Sequence, residues 1–190
     1  MKNIAIFASG SGTNAENIIA YFSTRNTAKV SLILSNKRDA LVLKRAAKHK
    51  IESIFFDRQD LYQSGVVMNY LEDHSIDFIV LAGFLWLVPD NILEKYKNRI
   101  INIHPALLPK YGGKGMYGEK VHHAVIENNE DESGISIHFV NEKYDDGDII
   151  FQAKCSIARQ DTPQTLADKI HALEYKYFPS VIEEMILKIS

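Results

Sequence analysis

The first hundred residues alternate short apolar runs with stretches of helical period, and this alternation constrains the fold more than any other feature of the chain. Ile4 to Ala8, Val30 to Leu34, Ser53 to Phe56, Phe78 to Ala82 and Ile100 to Ile103 read as short buried strands. Between them, Ala15, Ile18, Ile19 and Phe22 recur at helical spacing, and helices are expected from Ala40 to Lys48 and from Leu61 to Glu72. Strands that are apolar throughout belong in a sheet covered on both faces, and parallel neighbours are joined by crossover helices. The expected fold is therefore α/β and Rossmann-like: a mostly parallel twisted sheet with helices on both faces.

The pattern changes after Pro105. Pro105, Pro109, Gly112, Gly113, Gly115 and Gly118 predict a mobile loop, and Val121, Ala124 and Val125 a short helix. Ile135 to Val140 and Ile149 to Ala153 read as two strands joined by the short polar stretch Asn141 to Asp148, so this C-terminal strand pair should be antiparallel. Thr162-Pro163 opens a long C-terminal helix, with a capping hydroxyl followed by proline at a position that needs no N–H. Leu166, Ile170, Leu173 and Tyr177 are its expected apolar face, and Pro179 is expected to kink or break it. With no repeat, low-complexity segment or linker in view, a single domain over 1–190 is expected.

A net charge of −2 gives no global attraction to nucleic acid or to an anionic membrane, and Lys37-Arg38 reads as a solvated face. Cys155 is the only cysteine. It excludes an intrachain disulfide and a cysteine metal site, reads as a small core residue, and fits a reducing cytoplasm. No targeting segment is evident. The longest apolar stretch, Phe78 to Val88, is interrupted by Gly83 and falls well short of the ~20 residues of a spanning helix. No histidine spacing suggests three or four converging ligands, so no metal is expected.

Two stretches carry the chemistry. Ser9-Gly10-Ser11-Gly12-Thr13-Asn14 lies between a strand and a helix, where glycines allow backbone to approach a ligand and free helical N–H groups suit a phosphate. The same residues could be a plain tight turn. They also match Gly-x-Gly-x-x-Ala through Ala15, which keeps a nicotinamide oxidoreductase in play. The acidic residue that motif expects ~20 positions on is replaced by Ser35-Asn36-Lys37-Arg38, whose two cations could hold a 2′-phosphate. The second stretch is Ile101-Asn102-Ile103-His104-Pro105. Alternation turns Asn102 and His104 to one face and the isoleucines to the core, at the carboxyl end of a strand, where ligands of open parallel sheets bind. Tyr144-Asp145-Asp146-Gly147-Asp148 clusters three carboxylates in the late link, and one of them is expected to titrate abnormally. His122, His123 and His138 carry less weight, being adjacent on a helix or alternating in a strand.

These blocks, together with Val80-Leu81-Ala82-Gly83-Phe84, Gly134 to Val140 and Asp145 to Gln152, resemble the folate-dependent formyltransferases over essentially the whole chain. The resemblance implies transfer of a formyl group from 10-formyltetrahydrofolate, as co-substrate, to the amine of glycinamide ribonucleotide in purine synthesis. Both partners are small molecules, and the enzyme would be a monomer or homodimer. It also implies that Gly12, Thr13 and Asn14 hold the substrate phosphate, that Glu174 contacts its ribose, and that Leu85, Trp86, Leu87 and Val88, with Asn102, line the folate pocket. Trp86 stands where many relatives carry arginine, and the loop Tyr111 to Gly118 is longer and richer in glycine than is usual in the family.

On that reading Asn102 and a protonated His104 donate to the developing oxyanion. Asp145 raises the His104 pKa and takes the amine proton. A direct pair requires Asp145 to fold back within hydrogen-bond reach of His104, or within one water of it. Methionyl-tRNA formyltransferase and formyltetrahydrofolate deformylase share these blocks. Each usually carries a further domain, for which these residues leave no room. A nucleotide-binding module without catalysis remains a third alternative.

Overall fold

The computed structural model describes residues 1–189. Its elements, in chain order, are β1 (Lys2–Phe7), α1 (Thr13–Phe22), β2 (Ala28–Ser35), α2 (Leu41–Lys48), β3 (Glu52–Phe55), α3 (Arg58–Tyr62), α4 (Val66–Asp73), β4 (Phe78–Leu81), α5 (Asp90–Lys95), β5 (Ile100–His104), α6 (Glu119–Glu127), β6 (Glu132–Phe139), β7 (Ile149–Ser156) and α7 (Pro163–Leu187). The strands form one sheet in the order β3-β2-β1-β4-β5-β6-β7. β1 to β5 run parallel, while β6 pairs antiparallel with both β5 and β7.

Alternation along the strands divides the core. Ile4, Ile6, Ile101 and Ile103 pack on one face with residues of α1, α2, α6 and α7. Ala5, Phe7, Ile79 and Leu81 pack on the other with α3, α4 and α5. The strand order reverses beside β1, which has β2 on one side and β4 on the other, so the carboxyl ends of β1 and β4 diverge into a crevice. Among the described residues no helix is long and apolar enough to cross a membrane.

Four expectations need correction, and one helix was not expected. The helix expected from Leu61 to Glu72 is two helices, because Gly65 takes a left-handed φ of 73° between α3 and α4. α5, begun by Pro89-Asp90, was hidden in sequence by the apolar run before it. α7 passes through Pro179 to Leu187 without a break. Proline removes one helical hydrogen bond, but Phe178, Val181, Ile182, Met185 and Ile186 around and beyond it bury against the core and hold the helix together. The buried stripe of α7 also runs through Leu166, Ile170 and Glu174, leaving Leu173 and Tyr177 as partly buried flanks. Cys155, finally, is half-buried on the edge strand rather than deep in the core.

Candidate active site

The glycine turn closes one end of a cavity of about 450 Å³. Gly12 caps α1 with φ 73° and offers no side-chain acceptor, so the first amide N–H groups of the helix are left for a ligand. A Cβ on Gly12 would stand 2.5 Å from Val42 Cγ2 and 2.8 Å from its Cα, and only glycine satisfies both the conformation and the packing. Neighbouring α2 braces the turn from outside, with Val42 N–H donating to Gly10 O at 3.2 Å and Arg45 Nε to Ser11 O at 2.8 Å.

Glu174 joins this end from α7. Its carboxylate accepts from Asn14 Nδ2 at 2.9 Å, although it is only 6% exposed. Burial raises its pKa, and the Asn14 amide opposes that rise. Asn14 Oδ1 is buried with no partner.

At the other end the register of β5 on β6 assembles a polar cluster. Asn102 lies opposite His138, and His104 opposite Ser136. Asp145 turns inward from the β6–β7 link with a left-handed φ of 54°, while Asp146 and Asp148 stay exposed. Its Oδ2 is 3.4 Å from His104 Nδ1, and its Oδ1 is 3.4 Å from Asn102 Nδ2 and 3.6 Å from His138 Nε2. His138 Nδ1 lies 2.7 Å from Phe139 O, and its Nε2 lies 3.1 Å from Asn102 Nδ2. Asn102, His104 and Asp145 are thus together, and His138 belongs with them. Sequence reasoning passed over His138 because its place opposite Asn102 depends on strand register; its signals were a shared face with Ser136 and its place in the Gly134 to Val140 block.

Loop residues complete the cluster. His104 Nε2 donates to Tyr111 O at 2.7 Å, and Gly113 N–H donates to Asp145 Oδ2 at 2.9 Å. Both ring nitrogens of His104 therefore face acceptors, which suits its charged form. Burial to 3% exposure outweighs them: Asp145 and the Tyr111 carbonyl raise the His104 pKa as expected, yet its net position is below the ordinary value. Burial also pushes the Asp145 pKa upward, but His138, His104 and the Gly113 N–H overcome it and hold the carboxyl below its usual range. Of the three clustered carboxylates, Asp145 is the one that borders the cavity.

The segment expected to line a folate pocket splits. Leu85, with Gly83 and Phe84, borders the cavity, and Leu85 N–H donates to Ser9 Oγ at 3.1 Å. Trp86, Leu87 and Val88 do not line it. Trp86 packs edge-on to Phe56 with ring centroids 6.1 Å apart, Arg58 lies 4.6 Å over its ring, and Leu87 O accepts from Tyr62 Oη at 2.9 Å. His122, His171, Lys114 and Met116 border the cavity as well, with no part in the sequence-derived site.

Known proteins resemble this chain over nearly its whole length. The pattern of the family described as formyl transferase matches residues 2–182. The phosphoribosylglycinamide formyltransferase of Bacillus subtilis (strain 168) is 35% identical, over 98% of this chain and 95% of its own. The chloroplastic phosphoribosylglycinamide formyltransferase of Arabidopsis thaliana is 37% identical over 95% of this chain, which spans 64% of that longer relative. The crystal structure of phosphoribosylglycinamide formyltransferase from Bacillus halodurans superposes with a TM-score of 0.88 at 37% identity, covering 100% of this chain and 97% of that one. Matched from its first strand into the final helix, the chain belongs to the formyl transferase family.

Proposed function

We propose that this chain is a phosphoribosylglycinamide formyltransferase, moving a formyl group from 10-formyltetrahydrofolate to the amine of glycinamide ribonucleotide for cytoplasmic purine synthesis. One observation carries the reading: an amide, an imidazole and a carboxylate meet at one end of a cavity whose other end is an uncapped helix N-terminus closed by Glu174. A phosphorylated amine would lie between the ends, with its phosphate on Gly12, Thr13 and Asn14 and its ribose against Glu174. The folate enters beside Leu85 and Asn102, with Trp86, Leu87 and Val88 shaping the wall behind.

The amine nitrogen attacks the formyl carbon, and the carbonyl oxygen becomes an oxyanion. Asn102 Nδ2 donates to it, as does His104 Nε2 once the Tyr111 carbonyl gives way. Loss of one such donor costs roughly 10²–10³ in rate. Asp145, ionised in the free protein, takes the proton shed by the attacking nitrogen, directly or through water. The bond from the formyl carbon to folate nitrogen then breaks, and that nitrogen receives the Nε2 proton of His104 as Asp145 passes the proton it took to His104 Nδ1, 3.4 Å away.

The test is a transfer assay with glycinamide ribonucleotide and 10-formyltetrahydrofolate, with methionyl-tRNA as competing acceptor and NADPH binding measured alongside. Formyl glycinamide ribonucleotide is the expected product. Transfer to methionyl-tRNA alone, hydrolysis to formate, or tight NADPH binding without transfer each defeats the reading.

A further inference from the structure

Among the described residues only two buried side-chain nitrogen or oxygen atoms lack a hydrogen-bond partner, Asn14 Oδ1 and His122 Nδ1. Both residues border the same cavity. An unsatisfied buried polar atom needs an explanation. Asn14 has one in the ribose reading, where a hydroxyl can donate to Oδ1, but His122 has none. Its ring is 3% exposed and lies between Val121 and Val125 on the buried side of α6.

The orphan nitrogen fixes the tautomer. An N–H buried without an acceptor loses the full desolvation cost of a donor, and a cation there would require one. The favoured state carries its proton on Nε2 and keeps a bare lone pair at Nδ1. With Nδ1 shut away from water, the ring meets the cavity through its other edge. His122 thus presents a neutral donor and nothing else to a ligand.

The groups facing it locate that ligand. His123 and Glu119 share its helix, and Glu119, His123 and His171 border a second, smaller groove with it. From α7 come His171 and, three residues on and on the same helical face, Glu174, which grips Asn14 of the glycine turn. His104 approaches from β5, and Lys114 and Asp145 border the shared cavity. Glu174 is suited to ribose hydroxyls, which can donate to it. A phosphate only accepts, and it has three terminal oxygens to satisfy. We propose that His122 Nε2–H is a further binding group for the substrate phosphate, acting as a neutral donor opposite the amides of α1; this rests on the ribonucleotide reading of the cavity. Burial and the fields of His171, His123 and His104 push the His122 pKa down to about 4, in keeping with a ring that stays neutral.

The test uses inorganic phosphate as probe, titrated at pH 7.5 into wild type, His122→Gln and His122→Asn. A glutamine amide reaches the place of Nε2, and an asparagine amide reaches only that of Nδ1. His122→Gln should bind phosphate within about 3-fold of wild type, and His122→Asn about 10-fold more weakly, the scale of a hydrogen bond to a charged group. The KM for glycinamide ribonucleotide should follow the same order, with the folate KM unchanged. Equal affinities for the two variants, or both equal to wild type, overturn the proposal. Nitrogen-15 spectra of the wild-type free protein should show His122 as the Nε2–H tautomer from pH 7 to pH 5; an Nδ1–H tautomer, or a cation at pH 6, overturns it even if neither variant folds. Phosphate binding and tautomer are read without formyl transfer, so a failed transfer assay with these results intact would sink the enzymatic reading and leave the His122 contact standing.

Discussion

His104 Nε2 stands 2.7 Å from the carbonyl oxygen of Tyr111, so the imidazole that faces the reaction cavity is already engaged by the loop beside it. The same loop donates Gly113 N–H to Asp145. One short segment therefore holds both members of the proposed acid–base pair, and on the proposed mechanism the formyl oxygen displaces a backbone carbonyl to reach His104.

Asp145→Asn keeps the shape of the side chain and removes its charge. The Asn amide can accept from Gly113 on its oxygen, but it cannot take the amine proton or favour a charged His104. We expect kcat to fall by about 10²–10³ in the formyl-transfer assay, within the range of general acid–base contributions, with both KM values within a few-fold of wild type. Turnover near wild type would remove Asp145 from the chemistry.

The histidines give stability a direction with pH. His104 and His122 both have folded pKa values below the ordinary 6.5, the latter about 4, with burial the largest cause in each case. A group whose folded pKa is depressed contributes stability that is present above its unfolded pKa and lost as pH falls through the folded one. Thermal unfolding midpoints should therefore drop between pH 6.5 and pH 4, with His122 contributing at most about 3 kcal/mol. Glu174 has a raised pKa and acts in the opposite sense, favouring the fold at low pH and losing that contribution as pH rises from the ordinary carboxylate value through the folded one. His122→Gln should flatten the acid loss; an unchanged profile would show that protonation of His122 is not what destabilises the fold.

Much of this arrangement can be read from the residues alone, and the parts that cannot share a cause. Apolar runs at strand length gave β1 through β5 within a residue or two, because strands buried on both faces admit little else. Asn102 and His104 were legible because side-chain alternation is local. His138 was not, since its nearness to Asn102 depends on which β6 residue pairs with which on β5. The net pKa of His104 was misjudged for a related reason: a charged neighbour can be guessed from a motif, whereas burial to 3% exposure belongs to the packed whole. Of the kink or break that local propensity argues for at Pro179, the break does not occur, because Val181, Ile182, Met185 and Ile186 bury enough surface to carry the helix on.

At the proposed phosphate end Gly12→Ala is the informative change. The new Cβ would meet Val42 at its Cα, 2.8 Å away, as well as at its side chain, and φ 73° disfavours alanine in its own right. The turn must shift, and with it the first amides of α1. The KM for glycinamide ribonucleotide should rise at least about 10-fold, in line with the loss of charge-assisted hydrogen bonds, while the folate KM stays put. A proportional rise in both would mean that the turn supports the whole cavity rather than the phosphate.

Trp86 separates shape from contact on the folate side. It packs against Phe56, Tyr62 and Phe84 and carries Arg58 over its face, yet it does not border the cavity. Its substitution should therefore act mainly on stability. Trp86→Ala removes a large, partly buried ring from this cluster, and a loss of about 2 kcal/mol is expected, less than the 3–5 kcal/mol of a fully buried tryptophan. For a chain of this size that corresponds to about 4–8 °C in Tm. Trp86→Phe should recover most of the loss, because an aromatic ring at this position still fills the space between Phe56 and Tyr62. If Trp86→Ala instead raises the folate KM more than about 10-fold at a temperature well below its Tm, the indole touches the folate directly, and the wall must rearrange on binding to bring it there.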